Sequence, residues 1–100
     1  MIITGEWDDE HWYGDVRVDG RVLSPKRSQK IRNHSPDGFA WGYGGSGPAQ
    51  LALAILLKAG LSPERAVDLY QQFKVQYISN LPRGAFMLDV DVLDWVRRQK

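Results

Sequence analysis

A chain of 100 residues buries roughly 60 to 70% of its unfolded surface, enough for one hydrophobic core, so residues 1–100 are read as a single domain. Its 43% hydrophobic and 25% charged residues exclude an intrinsically disordered chain, and a formal net charge of +1 excludes a strong overall field toward nucleic acid or membrane. The absence of cysteine excludes a disulfide scaffold, a thiolate zinc site, an iron–sulfur cluster and a cysteine nucleophile.

Met1–Thr4 is a short apolar stretch expected to form an edge strand, and the acidic run Glu6, Asp8, Asp9, Glu10, broken by Trp7, is expected to be a solvated turn. From His11 to Leu23 the pattern is strand, Asp19-Gly20, strand, the strongest short hairpin signal. A two-residue turn would pair Val16 with Leu23, and a three-residue loop would pair Val16 with Val22. Ser24–Ser35 carries Lys26, Arg27, Lys30 and Arg32 with no acid, and its two Ser-Pro steps mark it as turn or extended chain. Phe39, Trp41 and Tyr43 alternate with small residues, the spacing of an aromatic strand.

Pro48 is expected to open a helix that runs to about Ala59, with Gly47 as N-cap and Gly60 as stop. Leu51–Leu57 is apolar on every side, which places this helix at the centre of the core and leaves it far short of the roughly 20 residues of a membrane span. Ser62-Pro63-Glu64 starts a second helix ending near Asn80. Asp89 is expected to cap a third, Val90–Arg98. The fold class is therefore α+β: a small antiparallel sheet, made of the N-terminal hairpin plus the aromatic strand, packed against three C-terminal helices. The N-terminus lacks the basic and apolar regions of a signal peptide, so a soluble cytoplasmic protein is expected.

The run Gly38–Leu57 concentrates the functional signals. Gly42-x-Gly44-x-x-Gly47 satisfies the dinucleotide fingerprint after a strand and before a helix, but a second helix stands where the second parallel strand is required. Gly42 and Gly47 also bracket half of a P-loop, with Pro48-Ala49 in place of Lys-Ser/Thr. Gly44-x-Ser46 resembles a nucleophile elbow with Pro48 in place of its last glycine; activation requires a histidine oriented by a carboxylate, His11 and His34 are the only candidates, and His34 lies among basic residues. Asp8-Asp9-Glu10-His11 does not have the directional spacing of metal ligands. No catalytic set, metal site or cofactor is assigned.

The stretch SPDGFAWGYGGSGPAQLALA, Ser35–Ala54, with Tyr70-Gln71-x-Phe73-Lys74 and Leu81-Pro82, resembles a family of small proteins described as a domain of unknown function, found in bacteria, archaea and their phages and plasmids. The likeness extends from Tyr13-Gly14 to Trp95. It carries over no catalytic residue or cofactor, and it implies an accessory or host-interaction role connected with mobile elements.

The leading reading is a non-enzymatic binding protein that recognises a protein or nucleic-acid partner through Trp41, Tyr43, Gly44, Gly45, Ser46, Gly47 and Gln50. Its nucleic-acid form adds Lys26, Arg27, Lys30, Arg32 and His34 for the phosphates, with Phe39, Trp41 and Tyr43 for base stacking. The second reading is an anionic, phosphate- or nucleotide-like ligand, or an enzymatic site, at the helix N-terminus after Gly47. A third gives the glycine turn a packing role alone. Exposure separates them: buried and satisfied side chains favour packing, and an open concavity favours binding.

Overall fold

The computed structural model describes residues 1–8 and 13–99. Strands β1 (Ile2–Asp8), β2 (Tyr13–Val18) and β3 (Arg21–Val22) are followed by α1 (Lys26–Ile31), α2 (Ser46–Lys58) and α3 (Pro63–Phe73). A π-helical turn (Lys74–Ile78), β4 (Phe86–Asp89) and α4 (Val92–Arg97) complete the chain. The fold is α+β, with a four-stranded antiparallel sheet in the order β3-β2-β1-β4.

The Asp19-Gly20 hairpin takes the two-residue form. Val18 pairs with Arg21 and Arg17 with Val22, and the Leu23 N–H donates to the Val16 carbonyl. Asp19 and Gly20 both have positive φ, 50° and 84°, as a type I′ turn requires. The Asp19 carboxylate also accepts the Ile2 N–H at 2.8 Å, tying the first strand to the turn.

Two expectations about the sheet are corrected. The N-terminal stretch is no edge strand: β1 extends through the acidic residues to Asp8 and lies between β2 and β4. The aromatic segment contributes only an isolated bridge, Phe39 to Gly14, and the fourth strand comes from Phe86–Asp89. A two-faced strand needs one face to contact less of the core, whereas Phe39, Ala40 and Trp41 are all buried, so the segment threads through the interior. The remainder of the expected acidic turn, Asp9 and Glu10, lies outside the described residues together with His11.

α2 is the central helix, with every residue from Gly47 to Leu57 buried. It starts at Ser46 with Gly45 as N-cap, two residues earlier than the proline signal suggested. Pro48 is tolerated at the third position because the first N–H groups of a helix have no intrahelical acceptor. Its end is a Schellman motif: Gly60, at φ 105°, donates to the Leu57 carbonyl and Leu61 to that of Leu56. The Ser62 hydroxyl caps α3 by accepting the Arg65 N–H. The helix then widens into the π turn, where Ser79 N–H donates to the Lys74 carbonyl.

The basic segment is a helix, α1, where the Ser-Pro steps suggested turn or extended chain. The fully buried Ser28 hydroxyl donates to the Pro25 carbonyl at 2.7 Å and accepts the Gln50 side-chain amide at 2.8 Å, and the second bond holds α1 on α2. The last helix starts at Val92, because β4 takes Asp89 and Asp91 becomes the cap, accepting the Asp94 N–H. Ile3, Val16 and Val18 from the sheet share one core with α2, α3, the π turn and Trp95 of α4.

Candidate functional site

β1 pairs with β2 along its whole length, from Ile3 to Asp8, but with β4 only from Ile2 to Gly5. Continuing that register would bring Gly84 opposite Trp7. Gly84 instead has φ 95°, a left-handed conformation that turns the chain out of the strand, and its carbonyl accepts the Trp41 indole N–H at 2.7 Å. The place of the missing strand is a cleft of ≈ 920 Å³ lined by Glu6, Trp7, Trp41, Tyr43, Arg83, Gly84 and Ala85.

Trp7 and Trp41 form the back of this cleft, with Phe86 packed behind Trp41. Trp41 meets Trp7 edge to face at 5.7 Å between ring centroids and Phe86 at 4.8 Å, within the range where such pairs add to burial. Trp41 and Phe86 approach the sheet this closely because two strand residues lack side chains. The Trp41 ring fills the space of a Cβ on Gly14, and Phe86 that of a Cβ on Gly5. Tyr43 leaves the core and is 46% exposed at the rim.

The cleft continues on both sides. Across Trp7 and Tyr43 it joins a depression of ≈ 400 Å³ whose walls include Asp37, Ser46 and Gly47 at the start of α2. Across Glu6 and Ala85 it joins one of ≈ 500 Å³ along the outer sheet face, beside Asp15, Arg17 and Met87. The three depressions share only these bordering residues; the central cleft carries Glu6 and Arg83, the one at α2 adds Asp37, and the one on the outer sheet face adds Asp15 and Arg17.

The expected site residues separate into two groups. Tyr43, Ser46 and Gly47 line the groove, and Trp41 lies at its back, only 3% exposed with its N–H bonded. Gln50 is turned away and fully buried. Its carbonyl accepts the His34 and Ser35 N–H groups at 2.8 and 3.1 Å, and its amide donates to the Ser28 hydroxyl at 2.8 Å. His34 Nε2 is 2.7 Å from the Tyr70 hydroxyl, so this histidine belongs to the α1–α2–α3 junction. Gly47 is a packing position as well, with Ala40 2.6 Å from where its Cβ would stand. Gly44 and Gly45 shape the turn, and the buried Ser79 hydroxyl behind Gly44 has no hydrogen-bond partner among the described residues.

Lys26, Arg27, Lys30 and Arg32 are exposed on and after α1, but the aromatics meant to work with them are not: Phe39 and Trp41 are each 3% exposed. Sequence reasoning missed Glu6, Trp7 and Arg83–Ala85. The available signal was Trp7 itself, a large ring inside an acidic run where a solvated turn has no use for one.

The groove contains rings, main-chain groups and charges of both signs. Among the described residues, no three histidine, aspartate or glutamate side chains are grouped to hold a metal, and no helix is long and apolar enough to cross a membrane. The Asp8–His11 stretch, set aside above as a metal site, lies largely outside the described residues. Fold and groove define a small α+β protein with an aromatic cleft where its sheet stops short. The chain belongs to the family of unknown function DUF6166, whose model matches residues 9–98. No curated protein and no solved structure matches it.

Proposed function

We propose that this protein is a non-catalytic binding module that recognises a polypeptide partner through the aromatic groove. The observation that carries this reading is Tyr43, held at 46% exposure by a turn whose other aromatics are buried, and shared with Trp7 by two adjoining clefts. Exposed aromatic rings beside concave surface are the common anchors of protein interfaces.

The cleft balances one carboxylate, Glu6, against one guanidinium group, Arg83, and the neighbouring depressions add Asp37, Asp15 and Arg17, so this surface offers no basic excess to hold a phosphate backbone, which favours a polypeptide over a nucleic acid. An anionic small ligand at the start of α2 is disfavoured in the same way. Asp37 lines that depression and Pro48 has no N–H to donate. An accessory role connected with mobile elements draws on the resemblance of the Ser35–Ala54 stretch to phage and plasmid proteins.

The test is a comparison of two fluorescently labelled pools, random linear peptides and random single-stranded oligonucleotides, titrated with the intact chain and followed by anisotropy. Peptide binding that Tyr43→Ala weakens is the expected result. Binding of oligonucleotides alone, or peptide binding indifferent to Tyr43→Ala, overturns the reading.

A further inference from the structure

Resting on that polypeptide reading, we infer that the partner segment binds in extended form, as a strand added to β1 in the place that β4 leaves open, with an apolar residue opposite Trp7 and basic residues on either side of it.

The hydrogen-bonding phase of β1 alternates between its two neighbours. Val90 N–H donates to the Met1 carbonyl at 3.0 Å, and hydrogen-bonded pairs in an antiparallel ladder recur every second residue, so Met1, Ile3 and Gly5 bond toward β4. On the other side Asp19 N–H donates to the Ile2 carbonyl, so the even residues bond toward β2. Trp7 is the next odd residue. Its N–H and C=O therefore face the cleft, and among the described residues no group hydrogen-bonds to either. A donor and an acceptor side by side on a strand edge are what an extended peptide matches with its own carbonyl and amide.

The pleat sends successive side chains of an added strand to opposite faces of the sheet. A partner residue opposite Trp7 directs its side chain to the face of Trp7, against the rings of Trp41 and Tyr43, which suits an apolar or aromatic group. Its two neighbours point to the opposite face. There Glu6 and Asp15 stand directly across from each other, two like charges that disfavour each other on a bare sheet and attract a lysine or arginine placed beside them.

The experiment selects linear peptides against the intact chain from a random displayed library, then resynthesises the best binder with each backbone nitrogen methylated in turn, and follows the Trp7 amide by NMR. The expected result is a basic–apolar–basic core, one methylated position that weakens binding about tenfold while its immediate neighbours stay within about twofold, and a shifted Trp7 amide. If peptides bind and Tyr43→Ala weakens them, but the methylation scan is flat and the Trp7 amide does not move, strand addition is overturned and polypeptide recognition stands. If no peptide binds, or if oligonucleotides compete the peptide away, both fall. Self-association of the chain that shifts the Trp7 amide without peptide assigns the open edge to a second copy and overturns the proposal.

Discussion

The ring of Trp41 occupies the space in which a Cβ on Gly14 would stand, so one residue's missing side chain sets the position of another's indole. From there Trp41 bonds Gly84 and packs on Trp7 and Phe86, and the back wall of the groove rests on a glycine in the adjoining strand.

Gly14→Ala forces Trp41 off the sheet. The substitution overpacks a buried site and is expected to destabilise the protein by about 2 kcal/mol. Urea unfolding measures the loss, and the near-UV circular dichroism of the native state is expected to weaken as the stacked indoles lose their fixed geometry. An unchanged midpoint and spectrum would show that Trp41 has room to move.

Gln50→Leu keeps the bulk of the side chain but leaves the His34 and Ser35 N–H groups without their acceptor and removes the amide donor to the Ser28 hydroxyl, which keeps only its bond to Pro25. The expected loss is about 3 kcal/mol, since each orphaned buried group retains its desolvation cost. Ser46→Ala, at an exposed hydroxyl that makes no cap, is expected to stay within about 0.5 kcal/mol by the same urea measurement.

Tyr43→Ala separates function from folding. The ring is half out of the protein, so stability is expected to change by less than about 1 kcal/mol, while peptide affinity falls by about 2 kcal/mol, the scale of an interface anchor. Thermal unfolding and anisotropy on the same preparation check both halves. A large drop in melting temperature would place Tyr43 among the structural residues.

Replacing Lys26, Arg27, Lys30 and Arg32 together by glutamine removes the basic surface of α1 and leaves the buried Ser28 anchor intact. Peptide affinity is expected to stay within about twofold, because these residues line none of the three joined depressions. A peptide affinity that collapses in this variant would move the binding surface to α1.

Much of the local structure is legible in the residues. The Asp19-Gly20 turn, the Gly60 stop and the Ser62-Pro63 start depend on backbone preferences that act over four or five residues, and each stands where its signal is. The central helix follows from seven consecutive apolar residues. The aromatic segment shows where such reasoning ends: period-2 spacing describes a strand only if a neighbour is free to pair with it, and here β2 offers Phe39 one bridge. Phe86–Asp89 carries a weak strand pattern and pairs because β1 has an unoccupied side.

The glycine-rich run from Gly38 to Gly47 marked the right neighbourhood of the groove, through Tyr43, Ser46 and Gly47, but not its other wall. Composition and local pattern determined the α+β class, the absence of a thiol and a wholly apolar central helix, because these follow from residue chemistry and short-range conformational preference. The pairing of an N-terminal strand with a C-terminal one, the fitting of Trp41 against Gly14, and the meeting of Glu6 and Trp7 with Arg83 belong to the folded state. They join residues from 27 positions apart, Gly14 and Trp41, to 87 apart, Ile2 and Asp89, and such contacts are chosen by the shared core and not by any local preference.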